Sequence, residues 1–262
     1  MDPVLEEIEF LSLSANRVDV LRLLADEPHS RRELAAETGA SQPTVGRILR
    51  DFEERNWIRR TDMGYEATAT GRLVADGMGE FYELLDTERK LRELVDWLPT
   101  AELTFDLREL REATVTVPSQ TRPGAPVGRV IDLVREAEDV TVLSHAFNDR
   151  TLEAVTDWVA SGGRFEAVFS ADAIEPVADD AVLADRFRRL VEAETATIRI
   201  YDGSVPLAVT LIDDTVSLLL RDDSGRLQAA LDTDSPVVAD WAREVYGRYR
   251  AESRPLPSEL LD

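Results

Sequence analysis

The sequence predicts a chain of mixed class, α+β in its first part and α/β in its second, with a long helix between. Three observations carry this. Residues up to 67 read as short helices followed by a β-hairpin. Residues 70–98 form one extended helical pattern. From Thr114 onward, strand patterns alternate with helix patterns and end in a run of strands. The expected division is 1–69, a linker helix over 70–99, and 100–262. At 262 residues the chain is long enough for two separate cores.

Residues 2–12 give a short helical lead-in through Val4, Leu5, Ile8 and Leu11. Ser14 or Asn16 can cap a second helix, with Val18, Val20, Leu21, Leu23 and Leu24 on its apolar face, ending before Pro28. His29 then reads as a solvated turn residue. Ser30 and Glu33 have the spacing of a capping box, which starts a third helix running to Thr38. Gly39 suits the left-handed exit from that helix. Ser41 can cap a fourth helix with Pro43 in its first turn, where a missing N–H costs nothing. Val45, Ile48, Leu49 and Phe52 make its apolar face.

The opposite face carries Gln42, Thr44, Arg47 and Arg50, gathered toward the N-terminal half. A helix that enters a DNA major groove needs this placement, and Gln and Arg present paired groups that match adenine and guanine edges. An ordinary helical hairpin with a solvated polar face is the plain alternative. Against it stands the joint spacing of Ala35, Gly39, Val45 and Ile48, which resembles the helix-turn-helix family. A hairpin follows: Trp57–Arg60, a turn over Thr61–Gly64, and Tyr65–Ala67. The combination looks like a winged helix. The expected DNA-binding set is Arg31, Ser41, Gln42, Thr44, Arg47 and Arg50 with Arg59, Arg60 and Tyr65 of the hairpin. Taken singly, either hairpin arginine is equally well explained as a solvated strand end.

Charge is the strongest compositional signal. There are 52 acidic against 30 basic residues, net −22, and Lys90 is the one lysine. Such composition resembles proteins of salt-accumulating halophiles. The hydrophobic fraction of 44% argues against a disordered acidic chain. Residues 17–72 hold ten Arg against ten Asp plus Glu, so this segment is neutral and the rest of the chain carries the excess. In molar salt the Debye length is ~3 Å, which leaves short-range contacts to supply most of any DNA affinity. Cysteine is absent, excluding disulfides and thiolate metal sites. No signal peptide is evident, and no apolar run reaches the ~18 residues that span a membrane, so a cytoplasmic protein is expected.

Thr68 or Thr70 can cap the long helix, which is expected to reach Trp97. Phe81, Leu84, Glu88, Leu91, Val95 and Leu98 alternate three- and four-residue steps, a heptad seam with one polar interruption. It could pack on its own second domain or pair with the same helix of another copy. Reading a palindrome needs a dimer, which favours pairing into a homodimer. Gly77 and Gly79 weaken the helix near its start.

Beyond a mixed connection anchored by Phe105, Leu107 and Leu110, strands are expected at 114–117, 140–143, 165–169, 197–201, 207–212, 216–221 and 226–231. Helices are expected at 127–137, 149–161, 181–193 and 235–250, and a loose tail from Glu252. Ligands in such sheets gather at the strand carboxyl ends. Those ends carry Ser144, His145 and Asn148, Ser170, and Tyr201, and the Arg122–Arg129 loop opens a helix N-terminus that could receive an anion. Each residue alone is explained by loop structure. As a set, Arg129, Ser144, His145, Asn148, Ser170 and Tyr201 mark the expected pocket for a small-molecule effector.

Enzyme chemistry is not expected. His145 is the one histidine of the second part, with no thiol and no nucleophile elbow nearby. The His-x-Lys pattern of the phospholipase D family is missing, since Phe147 stands at the lysine position. Acidic pairs such as Asp213-Asp214 read as turns, and neither metal nor cofactor is called for.

The order of parts resembles archaeal winged-helix regulators with the middle domain of the methanogenesis regulatory protein family, abundant in haloarchaea. The likeness rests on Ala35, Gly39, Val45 and the hairpin, then on Thr114–Pro118, Val140–His145, Gly162–Val168 and the late strands. It implies a one-component transcription regulator with a sensory C-terminal domain, and names no effector. A DNA-binding scaffold whose second domain only contacts proteins is the alternative, and a hydrolase fused to a winged helix is a third reading.

Overall fold

The structure is a computed structural model that describes residues 2–146, 149–178, 180–222 and 224–256, with the backbone alone described at 175–178. The chain forms two compact units, Met1–Asp86 and Thr87–Asp262. Their boundary falls inside the long helix.

The first unit contains α1 (Pro3–Ser12), α2 (Ala15–Asp26), α3 (Arg31–Thr38), α4 (Gln42–Glu54), β1 (Ile58–Thr61), β2 (Gly64–Ala67) and the start of α5 (Ala69–Arg92). Local chemistry sets these boundaries. Ser30 and Glu33 close a reciprocal capping box at α3, and Gly39 leaves the helix at φ 68°. The Ser41 hydroxyl accepts from the Thr44 N–H at the start of α4. Val45, Ile48, Leu49 and Phe52 turn inward and pack with Leu21, Leu24 and Leu34. Each such side chain contributes about 1.5–3 kcal/mol on burial.

His29 departs from expectation. It is buried rather than solvated, and its backbone forms a bridge with Tyr65 that adds a third short edge to the hairpin. Its N–H donates to the Tyr65 carbonyl at 2.9 Å and its own carbonyl accepts from Tyr65 at 2.8 Å. Gly64 makes this possible. It sits at φ 129°, and a Cβ there would lie 2.4 Å from the His29 carbonyl oxygen. The tight turn is therefore Asp62–Met63, one residue shorter at each end than the sequence suggests.

The long helix also departs. It ends at Arg92, not Trp97, and the heptad seam divides. Leu91, Leu94 and Leu98 enter the core of the second unit, while Phe81, Leu84 and Val95 are exposed. Heptad spacing shows that a helix has an apolar face, but not whose surface covers it.

Beyond the end of α5, the second unit has a 3₁₀ turn, Leu107–Leu110, capped by Asp106. Then come β3 (Thr114–Thr116), α6 (Ala125–Glu136), β4 (Asp139–Ser144), α7 (Asp149–Ala160), β5 (Arg164–Ser170), α8 (Ala171–Ala178) and α9 (Ala181–Val191). The last elements are β6 (Ala196–Tyr201), β7 (Val209–Ile212), β8 (Thr215–Arg221), β9 (Leu227–Thr233), α10 (Pro236–Glu252) and β10 (Arg254–Pro255). The sheet order is β10-β6-β5-β4-β7-β8-β9-β3. β4, β5 and β6 run parallel, and β7, β8, β9 and β3 extend the sheet antiparallel from β4. Direction therefore reverses between β4 and β7. One face packs on α10 and the Leu91–Ala113 segment, the other on α6, α7 and α9.

Two elements escaped the sequence reading. α8 starts directly after Ser170, where a loop was expected. The tail is not loose as far as Leu256: β10 pairs with β6, and Arg199 donates to the Ser253 hydroxyl at 2.8 Å.

Candidate functional site

On α4 the buried residues define one side of the helix, and Pro43, Arg47 and Arg50 form the opposite side. Arg47, Arg50 and Gln42 are exposed, and among the described residues their side chains bond to nothing. Their order along the helix works against its dipole. The first turn has no acid, the last turn has no base, and Glu53 and Glu54 close it. Helix stability alone does not select this arrangement.

The remaining members of the predicted set are engaged locally. Arg31 lays its guanidinium over Gly46 and donates from Nε and Nη2 to the Gln42 carbonyl, at 2.9 and 2.5 Å. A Cβ on Gly46 would lie 2.6 Å from the Arg31 Cζ. Arg31 thus fixes α3 against the start of α4. Ser41 and Thr44 share a hydroxyl bond of 2.8 Å within the cap, and Thr44 is half-buried. Cross-strand register sets Arg59 opposite Glu66, with Nε donating at 2.6 Å. Arg60 lies opposite Tyr65, donates to its hydroxyl at 2.5 Å and sits over its ring. The Tyr65 bond raises the Arg60 pKa further above its ordinary value.

The sheet separates the residues expected to form one effector pocket. Ser144 ends β4 and His145 follows it, with the Ser144 hydroxyl donating to the Ala146 carbonyl at 3.0 Å. Ser144 faces a cavity of about 660 Å³, counting its open mouth, roofed by α6 and α7 and floored by β4, β7 and β8. Ser170 and Tyr201 do not join it. Alternation along β5 turns Ser170 toward the α10 side, and Tyr201 packs edge-on against Tyr249 of α10, ring centres 5.0 Å apart. Arg129 does not line this cavity either. Its Nε donates at 2.8 Å to Asp232, whose side chain is 2% exposed, tying α6 to β9. Asn148 lies outside the described residues.

Two residues at this end carry unsatisfied polar atoms. The Nε of Arg221 and the Nδ1 of His145 are buried without a hydrogen-bond partner. Arg221 donates from Nη1 to the Gly225 carbonyl at 2.8 Å and has no carboxylate partner among the described residues. Burial lowers its pKa. Burial, then the Arg221 charge, pushes the His145 imidazole below its usual range, against a bond to the Leu207 carbonyl. Sequence reading missed Arg221, which looks like an ordinary strand-end arginine. The signal lies in the fold, where this strand end meets the place at which the sheet reverses direction. Among the described residues no three His, Asp or Glu are grouped to hold a metal ion. Nor is any helix long and apolar enough to cross a membrane.

The fold and these surfaces define a winged helix-turn-helix unit followed by an α/β/α unit with a cavity at the reversal of its sheet. Residues 5–90 match the family model described as the HVO_A0261 N-terminal domain. Residues 123–252 match the model described as the middle domain of methanogenesis regulatory protein FilR1. No curated protein matches the chain. Among solved structures, the archaeal chromatin protein TrmBL2 aligns at TM-score 0.45 and 14% identity, over 95% of this chain and 96% of that one. A phospholipase D family member, Nuc from Salmonella typhimurium, aligns at TM-score 0.44 and 14% identity, over 56% of this chain and 99% of that one. NucT from Helicobacter pylori aligns at 0.42 and 13% identity, over 55% and 98%. At such scores these likenesses bear on neither fold nor activity.

Proposed function

We propose that the protein is a transcription regulator that reads duplex DNA with α4, acts as a homodimer, and responds to a small molecule in its second unit. One observation carries the DNA reading. Arg47 and Arg50 stand exposed on the outer side of α4, with Gln42 exposed in its first turn and none of the three paired among the described residues, inside a neutral segment of a chain with net charge −22. Paired donors on Arg and Gln suit base edges, while Arg59, Arg60 and Tyr65 flank as phosphate contacts. Arg31 and Ser41 serve by holding the start of α4. The matched middle-domain family is named for a regulatory protein, which supports the same reading.

The dimer reading rests on α5. Leu73, Phe81 and Leu84 are exposed along it, a stripe that a second copy would cover. The second unit is proposed to have no catalytic role, since its sequence offers no thiol and no nucleophile elbow beside its single histidine. Acid-rich composition fits a cell interior of concentrated salt.

The test is DNA binding by fluorescence anisotropy with sites recovered from genomic fragments. Arg47→Ala should weaken a selected site by about 1–3 kcal/mol and relax one base position. Uniform loss across all sequences would instead make Arg47 a phosphate contact.

A further inference from the structure

We propose that the cavity under α6 and α7 is a site for a small organic acid, with its carboxylate on Arg221 and its hydrocarbon part between the sheet and the two helices. This rests on reading the second unit as an effector domain, and it names the class of effector. The cavity wall is apolar over most of its area, through residues such as Val142, Phe169 and Leu219. Apolar cavities hold water poorly and accept hydrocarbon. Polar groups converge at one end: Arg221, Thr210 and Ser144. Thr210 is buried, and its hydroxyl bonds to nothing among the described residues.

Arg221 is the deciding residue. The chain has 52 carboxylates for 30 cations, and paired arginines are common in it, with Arg129, Arg164, Arg243 and Arg254 each holding an aspartate. Among the described residues Arg221 holds none, although it is partly buried and spends only Nη1 on the Gly225 carbonyl. A half-buried guanidinium in need of an acceptor favours a carboxylate, which matches its fork geometry. A phosphate dianion would leave charge over, because among the described residues no second cation lines the cavity.

Arg221 also borders a second cleft, of about 790 Å³ counting its open mouth, that reaches His145, Trp97 and Pro99. Trp97 and Pro99 lie shortly beyond the end of α5 at Arg92. An acid that draws Arg221 toward the cavity changes the wall these residues share with it. This gives the ligand a differential contact through which to bias α5.

The test is isothermal titration of the full chain, in concentrated KCl, with hexanoate and benzoate and with the matched alcohols, hexanol and benzyl alcohol. Saturable carboxylate binding is expected, at least about tenfold tighter than the alcohols, the worth of a charged hydrogen bond. Arg221→Gln should erase that preference, and Val142→Phe should abolish binding of both series with Arg221 intact. If Arg221→Gln does not fold, as judged by circular dichroism, Val142→Phe decides. Absence of saturable carboxylate binding, an undiminished preference in Arg221→Gln, or binding indifferent to Val142→Phe would overturn the proposal. Carboxylate binding that leaves DNA affinity unchanged upholds the site and sinks the effector reading. Absence of DNA binding sinks the regulator reading and leaves the titration to judge the site.

Discussion

Arg47 and Arg50 of α4 and Arg59 and Arg60 of the hairpin lie within fourteen residues of sequence, and their surroundings differ. The α4 pair has no partner among the described residues, while the hairpin pair is held by Glu66 and Tyr65 across the strands. The second unit repeats the contrast, with Arg129 bound to a buried Asp232 and Arg221 bound to no carboxylate among the described residues. In an acid-rich chain, partners for arginine are plentiful. Among the described residues, the outer side of α4 and the end of the cavity are two places where an arginine has no acid beside it. Residue type alone does not separate these two classes; the partner does.

The contrast can be broken most forcibly at Arg129. Arg129→Met should destabilise the second unit by about 3 kcal/mol, because it strands the Asp232 charge inside the fold. Urea denaturation measures it, and a loss below ~0.5 kcal/mol would show that Asp232 does not depend on the pair. Arg47→Ala and Arg50→Ala should each cost about 1–3 kcal/mol of affinity for a selected site, with stability unchanged within about 0.5 kcal/mol. Arg59→Ala should cost less, below about 1 kcal/mol, and equally for all sequences.

Glu66→Gln sharpens the point by releasing Arg59 without removing it. Affinity should rise, and the slope of log affinity against log salt should steepen by up to ~0.9, one added phosphate contact. An unchanged slope would mean that pairing is not what restrains Arg59. The smallest effect is at Asp106, whose carboxyl the Arg108 side chain holds at about 2. Its folded pKa is depressed, so its contribution to stability is complete above about pH 4, where the unfolded carboxyl is ionised. That contribution is lost as pH falls toward 2. Arg108→Ala should return the Asp106 titration, followed by NMR, toward the ordinary range.

Much of the fold was legible because it is written locally. The Ser30–Glu33 box, Gly39, the Ser41 cap and the apolar spacing of α4 each fix an element from neighbours in sequence. The parallel and antiparallel halves of the sheet follow from whether helices separate the strands. What was hidden depends on distant contacts. His29 becomes buried because Tyr65 bridges it, and Leu91 and Leu98 leave the seam because an apolar core lies beside them. The candidate reading face of α4 was visible as a helical pattern. The candidate pocket was only partly visible: Ser144 was found by its strand end, His145 borders the neighbouring cleft instead, and Ser170 and Tyr201 fall on the other side of the sheet. Arg221 carries no local signal at all.

The central claim is that the unpaired arginines of α4 read DNA. The most direct measurement maps genomic fragments retained by the intact chain and by the Arg47→Ala, Arg50→Ala double variant at matched salt. The account predicts a shared two-fold-symmetric sequence enriched by the intact chain and lost in the variant, with the fold unchanged by circular dichroism. Equal enrichment by both, or none by the intact chain, would contradict it.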